Sequence, residues 1–255
     1  MRLFTLIAGA VVFAAPLLSQ QRDAADARFE VASIKEIPAP DDPRRITCGL
    51  PGIMPSGNRI RIPLTQLCGL IRLAYNVDEF QISGIPGDRG VGPRNFFEVD
   101  ALLENGTAPG IDALRPMIRA LLAERFQLQV RREPVEMPVF VLVQEPGRKA
   151  TAPCPDPKRG TGYVAGRIAS CTPPLPMARF AQFLSNAAGR MVLDKSGLEP
   201  FSFELRWQPD SAEPQPDSPP SLFTAIREQL GLRLDAIRAP VDSIIVMRVE
   251  RPTPN

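Results

Sequence analysis

The chain contains no histidine among its 255 residues. That absence removes the commonest general base near neutral pH, the imidazole of serine and cysteine triads, and most catalytic zinc sites. Charge is nearly balanced: 30 lysines and arginines face 28 aspartates and glutamates. The resulting +2 is no footprint of a nucleic-acid binder and points to no acidic partner. No Gly-x-Ser-x-Gly elbow, Ser-x-x-Lys dyad or Walker loop occurs, so no cofactor is expected. Cysteine is scarce: Cys48, Cys68, Cys154 and Cys171, with no CxxC spacing. Without paired spacing or histidine, disulfides are a better reading of these four than a zinc site. Beyond the first twenty residues, no apolar run is long enough to span a membrane.

That first run is itself informative. Arg2 is followed by an uncharged apolar stretch, Leu3 to Leu18, and then by Ser19 and Gln20. The pattern predicts a cleaved export signal over residues 1–20, with a retained anchor as the alternative. Export would place the cysteines in an oxidising compartment. The expected pairs are Cys48–Cys68 and Cys154–Cys171, because each closes a short loop within one half of the chain. Each bond is worth ~3 kcal/mol through restriction of the unfolded chain.

The second half of the chain follows the plan of the first. Arg59-Ile60-Arg61-Ile62 runs into a helical stretch from Pro63 to Tyr75, and Gly166-Arg167-Ile168 leads to another from Pro176 to Gly189. Phe97-Glu98-Val99 answers Phe203-Glu204-Leu205, and Pro134-Val135-Glu136 answers Pro240-Val241-Asp242. An internal repeat implies that each copy builds one compact unit. The expected fold is therefore α+β: two similar β-α-β-β-α-β-β domains, residues 29–144 and 161–251, with helices packed on small sheets. Residues 145–160, rich in proline and glycine, form the expected linker.

Within the first half, strands are expected at Phe29–Ile34, Phe80–Ile82, Phe96–Leu102, Gln127–Arg132 and Val139–Val143. Its helices bury Leu64, Leu67, Ile71 and Ala74, then Leu114, Ile118, Leu121 and Leu122, with Asp112 as the candidate N-cap of the second. In the second half Met177, Phe180, Ala181 and Leu184 mark one buried face. Phe201, Phe203, Leu205 and Trp207 alternate with Ser202, Glu204 and Arg206, as in a strand covered on one side. Ser221 is placed to cap a helix that uses Phe223, Ile226 and Leu230 and ends at Gly231 in the left-handed conformation. The residue matching Gly231 by sequence offset is Arg125, which would be strained there. Two final strands, Leu232–Ile237 and Ile244–Val249, complete the copy.

Little in this scaffold carries chemistry. Asp41-Asp42 and Asp78-Glu79 sit in turn-like contexts, where carboxylates are solvated or capping. Gly87-Asp88-Arg89-Gly90-Val91-Gly92 opens no helix and reads as a turn, not a phosphate cradle. Arg119, Arg125, Arg131 and Arg132 fit a solvated basic face. The most distinctive short motif is Asp194-Lys195-Ser196-Gly197, a tight turn whose charged tip is a possible partner contact.

Several segments, in order, carry a resemblance: Phe29-Glu30-Val31-Ala32-Ser33-Ile34-Lys35, Arg72-Leu73-Ala74-Tyr75, Leu121-Leu122-Ala123-Glu124-Arg125-Phe126, Met137-Pro138-Val139-Phe140, Gly189 to Leu198, and Ser221 to Ile226. Together they resemble a large paralogous family of exported proteins of unknown function, abundant in Acidobacteria. The second half also resembles the short N-terminal domain of secretins and TonB-dependent receptors, on its helix, two strands, Leu230-Gly231-Leu232 and final strand pair. That second resemblance implies a periplasmic interaction module that pairs through sheet edges.

The expectation is an exported, non-catalytic protein, periplasmic or secreted, that recognises a protein partner at the cell envelope. It has no nucleic-acid partner and no membrane span once the signal is removed. Two rivals stand beside it: a sensor closing an inter-domain cleft on a small molecule, and an exported hydrolase using carboxylates.

Overall fold

The computed structural model describes residues 28–41, 48–87, 90–104, 109–147, 154, 156, 160–164, 166–209 and 218–252. The expected export signal lies outside them, as do Asp42, Asp88, Arg89 and most of the expected linker. In chain order the elements are β1 (Val31–Ile37), β2 (Met54–Ser56), β3 (Arg59–Thr65), α1 (Leu67–Tyr75), β4 (Ile82–Ser83), β5 (Phe96–Leu102), α2 (Ile111–Arg125) and β6 (Gln129–Gln144). They continue with β7 (Gly162–Val164), β8 (Arg167–Leu175), α3 (Met177–Ala188), β9 (Val192–Asp194), β10 (Phe201–Arg206), α4 (Leu222–Leu230) and β11 (Leu232–Arg248). The architecture is mixed α+β, with four helices and several small sheets among the described residues.

The chain divides into two compact units, one of Met1–Tyr75, Arg89–Leu128 and Glu250–Asn255, the other of Asn76–Asp88 and Gln129–Val249. These differ from the halves 29–144 and 161–251 because of β6. It follows the first-half elements in sequence but pairs antiparallel with β11 from Leu232↔Gln144 to Arg248↔Gln129.

The first unit holds an antiparallel sheet in the order β1-β5-β3-β2. Alternation sorts its side chains. Ala32, Ile34, Ile60, Ile62, Val99 and Ala101 are buried, whereas Arg59–Asp100 (2.8 Å) and Arg61–Glu98 pair on the other face. The apolar face meets Leu70 of α1 and Leu114, Ile118 and Leu121 of α2 around a void of about 10 Å³. α1 starts at Leu67, later than the Pro63 start expected, because β3 continues through Pro63 to Thr65. Gly49 approaches α1 so closely that a Cβ on Gly69 would stand 2.6 Å from its carbonyl oxygen.

Two end signals of α2 differ from expectation. Gly110, not Asp112, is the N-cap; Asp112 lies in the first turn and pairs with Arg115 at 3.0 Å. At the other end Phe126 N–H and Leu128 N–H both donate to Leu122 O (3.1 and 3.2 Å), and the left-handed residue is Gln127, at φ 50°. Arg125 is the last helical residue and is not strained. The structural counterpart of Gly231 (φ 63°) is therefore Gln127.

The second unit contains the antiparallel sheet β10-β8-β7 and the mixed sheet β4-β11-β6-β9. Phe180, Leu184, Phe203, Leu205, Ile226 and Leu230 are fully buried at its core. Ser221 Oγ accepts from Thr224 N–H at 3.5 Å, so the predicted cap is present. Phe223 is 47 % exposed, contrary to the buried role expected from its spacing, and lies edge-on to Phe140 at 5.2 Å between centroids. Phe80–Ile82 is not one strand: Glu79–Gln81 form a 3-10 turn and only Ile82–Ser83 extend.

Each of the two strand pairs expected at Gln127–Arg132/Val139–Val143 and Leu232–Ile237/Ile244–Val249 proves to be one long strand, despite Pro134, Pro138 and Pro240. Phase is the reason. In an antiparallel ladder each strand turns alternate backbone groups toward its partner. Phe140 N–H donates outward to Met191 O, and Leu142 O accepts from Lys195 N–H, so even-numbered positions of β6 face away from β11. On β11, Asp242 O accepts from Gln81 Nε2 at 2.6 Å, again at an even position facing away from β6. All three prolines stand at even positions, where the missing N–H removes no bond between the strands.

Candidate functional site

The order β2-β3-α1-β4-β5-α2-β6 recurs as β7-β8-α3-β9-β10-α4-β11, and the sheet neighbours β2-β3-β5 recur as β7-β8-β10. One element breaks the correspondence. In the first unit β1 lies on the outer edge of β5, while among the described residues β10 ends its sheet.

The backbone phase of these edges can be followed residue by residue. Leu103 N–H donates to Asn58 O at 2.8 Å, so odd positions of β5 face β3 and even positions face β1. The resulting pairs include Asp100↔Ser33 and Glu98↔Lys35. On β10, Trp207 N–H donates to Gly166 O at 2.9 Å, so odd positions face β8 and Glu204 and Arg206 face outward. Glu204 and Arg206 thus hold the places of Glu98 and Asp100.

At Arg206 a side chain takes up the outward backbone groups. Gln229 of α4 accepts from Arg206 N–H at 3.0 Å and donates to Arg206 O at 2.7 Å, so one amide serves as a single peptide group of a neighbouring strand. One step further, Gln208 N–H donates to Pro220 O at 2.9 Å. In the first unit the residue two before the left-handed position is Arg125, and its Nη2 donates to Ala32 O at 2.9 Å, on the outward phase of β1. The longer side chain reaches β1; the shorter one reaches the backbone of β10 itself.

Glu204 is buried, at 9 % exposure, and its carboxylate is paired with the exposed Arg206 at 2.6 Å. In the same sheet the Tyr163 ring stacks on Phe183 (5.5 Å, 4°), and burial pushes its phenol above the ordinary value. Trp207 is 4 % exposed and belongs to the core, as its place in the alternating strand implies.

The other residues singled out from sequence are held in structural roles. In the turn, Asp194 Oδ1 accepts from Ser196 N–H (3.0 Å) and Ser196 Oγ (2.6 Å), and Gly197 adopts φ 67°. Gln144 Nε2 fixes Ser196 O at 2.8 Å, leaving Lys195 as the exposed charge. The Asp78 carboxylate accepts from Gln182 Nε2 at 2.7 Å. The pairs Cys48–Cys68 and Cys154–Cys171 are joined as disulfides, with Cα–Cα distances of 5.6 and 5.7 Å. A groove of about 310 Å³ runs between the start of β1 and α2, with Met117, Ala120 and Leu121 along it and Arg28, Glu30, Glu124 and Arg125 also lining it. Among the described residues no cluster of three acidic or cysteine side chains could hold a metal ion. No helix among them is long and apolar enough to cross a membrane.

This arrangement is an α+β scaffold with one strand edge latched by a side chain. Residues 69–249 match DUF3738, a family of proteins of unknown function, and the chain belongs to that family. No curated protein and no solved structure matches it.

Proposed function

We propose that the protein is an exported, non-catalytic interaction module that recognises an envelope or secreted protein by adding one of its strands to the outer edge of β10. The observation that carries the reading is internal: the motif β2-β3-β5 holds a fourth strand, and among the described residues the matching motif β7-β8-β10 shows none. A duplication in which, among the described residues, only the first copy pairs with a β1-like strand accounts for both observations. Strand addition draws affinity from main-chain bonds and specificity from alternate side chains.

Four other strands are poor sites for strand addition. Pro134 and Pro138 remove outward donors from the edge of β6, and Pro240 does the same for β11, which suppresses pairing with another chain. β2 and β7 are three residues each. The disulfides fit a protein folded outside the reducing cytosol, and the resemblance of the second half to edge-pairing periplasmic domains agrees. The Asp78 and Asp194 carboxylates are engaged by neighbouring groups, which favours structural roles for these two.

The test is photo-crosslinking in the host's envelope, with a crosslinking residue placed at Ser202 beside the edge or at Ser33 in the first unit. A discrete adduct from Ser202 and none from Ser33 is expected. Adducts from Ser33 alone would overturn the assignment to β10.

A further inference from the structure

α1 has no solvent face of its own. Every residue in it except Cys68 and Tyr75 is buried, including Arg72 at 5 % exposure. A helix that is apolar all round must be covered all round. Part of its cover in the first unit is an irregular strap, residues 48–53, that lies on α1 before the chain enters β2. Gly49 O approaches so closely that a Cβ on Gly69 would meet it at 2.6 Å, with Pro51 Cδ at 3.7 Å. Cys48 O accepts from Arg72 Nη1, and Ile53 reaches the small void shared with Ile60, Ile62 and Leu70. The covalent tie between strap and helix is Cys48–Cys68. We infer that this disulfide is a redox-sensitive clasp: a dithiol opens it and the strap lifts from α1, while Cys154–Cys171 stays intact under the same conditions.

The two disulfides stand in different surroundings. Cys48 and Cys68 are both partly exposed, so a dissolved thiol can reach their bond. Cys68 lies in the first turn of α1, where N–H groups without helical partners meet the charge of a departing sulfur. Cys171 is 6 % exposed within β8, and its sulfur would have to leave as an anion inside the fold. Exchange is therefore directed to Cys48 as the sulfur attacked and Cys68 as the sulfur released.

The co-reactant is a dithiol, and the exchange balances at two electrons. One of its thiolates bonds to Cys48 Sγ, the S–S bond breaks, and the electron pair leaves on Cys68 Sγ, which takes a proton from water. The second thiolate then attacks the mixed disulfide, Cys48 departs as a thiolate and is protonated, and the reductant ends as a disulfide. Without the tie, two features favour lifting. The closed strap keeps the Arg72 guanidinium out of water, a cost that bonds such as the one to Cys48 O offset and that hydration removes. Pairing of β2 with β3 starts only at Met54, so the strap can leave without opening that ladder.

The test treats the full oxidised chain with dithiothreitol at neutral pH, quenches samples by alkylation and reads each cysteine by mass spectrometry. Cys48 and Cys68 should become labelled at least about tenfold faster than Cys154 and Cys171. A brief pulse of glutathione, quenched with acid, should leave the mixed disulfide on Cys48. Amide exchange at residues 70–73 should accelerate at least about tenfold on selective reduction, with Val99 in the same unit unchanged. Gly69→Ala presses a methyl against Gly49 O and should hasten reduction of Cys48–Cys68 alone. Cys48→Ser removes the tie permanently and should reproduce the exchange of the reduced chain.

Equal reduction of the two bonds, or Cys154–Cys171 opening first, overturns the clasp. A glutathione adduct on Cys68 overturns the assigned direction of exchange. Unchanged exchange at residues 70–73 after reduction overturns lifting of the strap. Loss of protection at Val99 as well makes the bond a staple of the whole unit and overturns a local device.

Discussion

Ile237 and Arg238 are adjacent, both exposed, and in opposite phases of the β6–β11 ladder. Ile237 stands opposite Val139 and Arg238 opposite Pro138. Proline at Arg238 would remove an N–H that points away from β6, as Pro240 already does two residues on. Proline at Ile237 would remove one that points toward Val139, a residue with 0 % exposure. Leaving that carbonyl without its donor costs about 1–3 kcal/mol, and the ring must also be accommodated against the partner strand. The expected loss is about 3 kcal/mol for Ile237→Pro. Ile237 is 44 % exposed, so the lost side chain contributes little of this. For Arg238→Pro the loss should stay below about 1 kcal/mol, since only an exposed side chain bonding Glu136 O is removed. At roughly 2–4 °C per kcal/mol for a chain of this size, thermal melting should show a fall of about 6–12 °C for Ile237→Pro and less than about 4 °C for Arg238→Pro. Equal falls would refute the phase argument and the single-strand reading of β11.

Other predictions address the units separately. Gln127 adopts φ 50° where Gly231 adopts φ 63°, so Gln127→Gly should stabilise by about 0.5 kcal/mol and Gly231→Ala destabilise by about 1 kcal/mol, read from urea midpoints. Removing either disulfide, by Cys68→Ser or Cys171→Ser, should cost ~3 kcal/mol, because the closed loops span 20 and 17 residues; melting with and without reductant checks it. Glu36 is held below its ordinary value of 4.5 by its bond with Arg251 and, more weakly, Asn95, against the opposing effect of burial. A depressed folded value contributes stability that is present above about pH 4.5 and lost as pH falls through the lower value. Melting followed through that acidic window should therefore flatten in Arg251→Ala.

Local features of the fold were legible because local physics decides them. Ser221 and Gly231 bracket α4, and alternation from Phe203 to Trp207 marks which side of β10 is buried. The cysteine pairing was readable because each partner is near in sequence. The β6–β11 ribbon was missed because the prolines suggested breaks, whereas their common even phase showed that a ladder could run past them. Phe223 followed helical spacing but lies at the flank of the buried face, where it meets Phe140 and solvent together. Gln229 carried no signal at all. Its role depends on how α4 docks beside Arg206, 23 residues earlier, and a polar residue late in a helix is indistinguishable from a solvated one.

The outer edge of β10 is the proposed binding edge for the partner. The most direct measurement is backbone amide exchange on the mature, oxidised chain, free and in complex with the protein crosslinked at Ser202. The prediction is slowed exchange at Glu204 and Arg206 in the complex, with Arg132 and Arg238 on the proline-marked edges unchanged. Unchanged exchange at Glu204 and Arg206, with protection elsewhere, would contradict it.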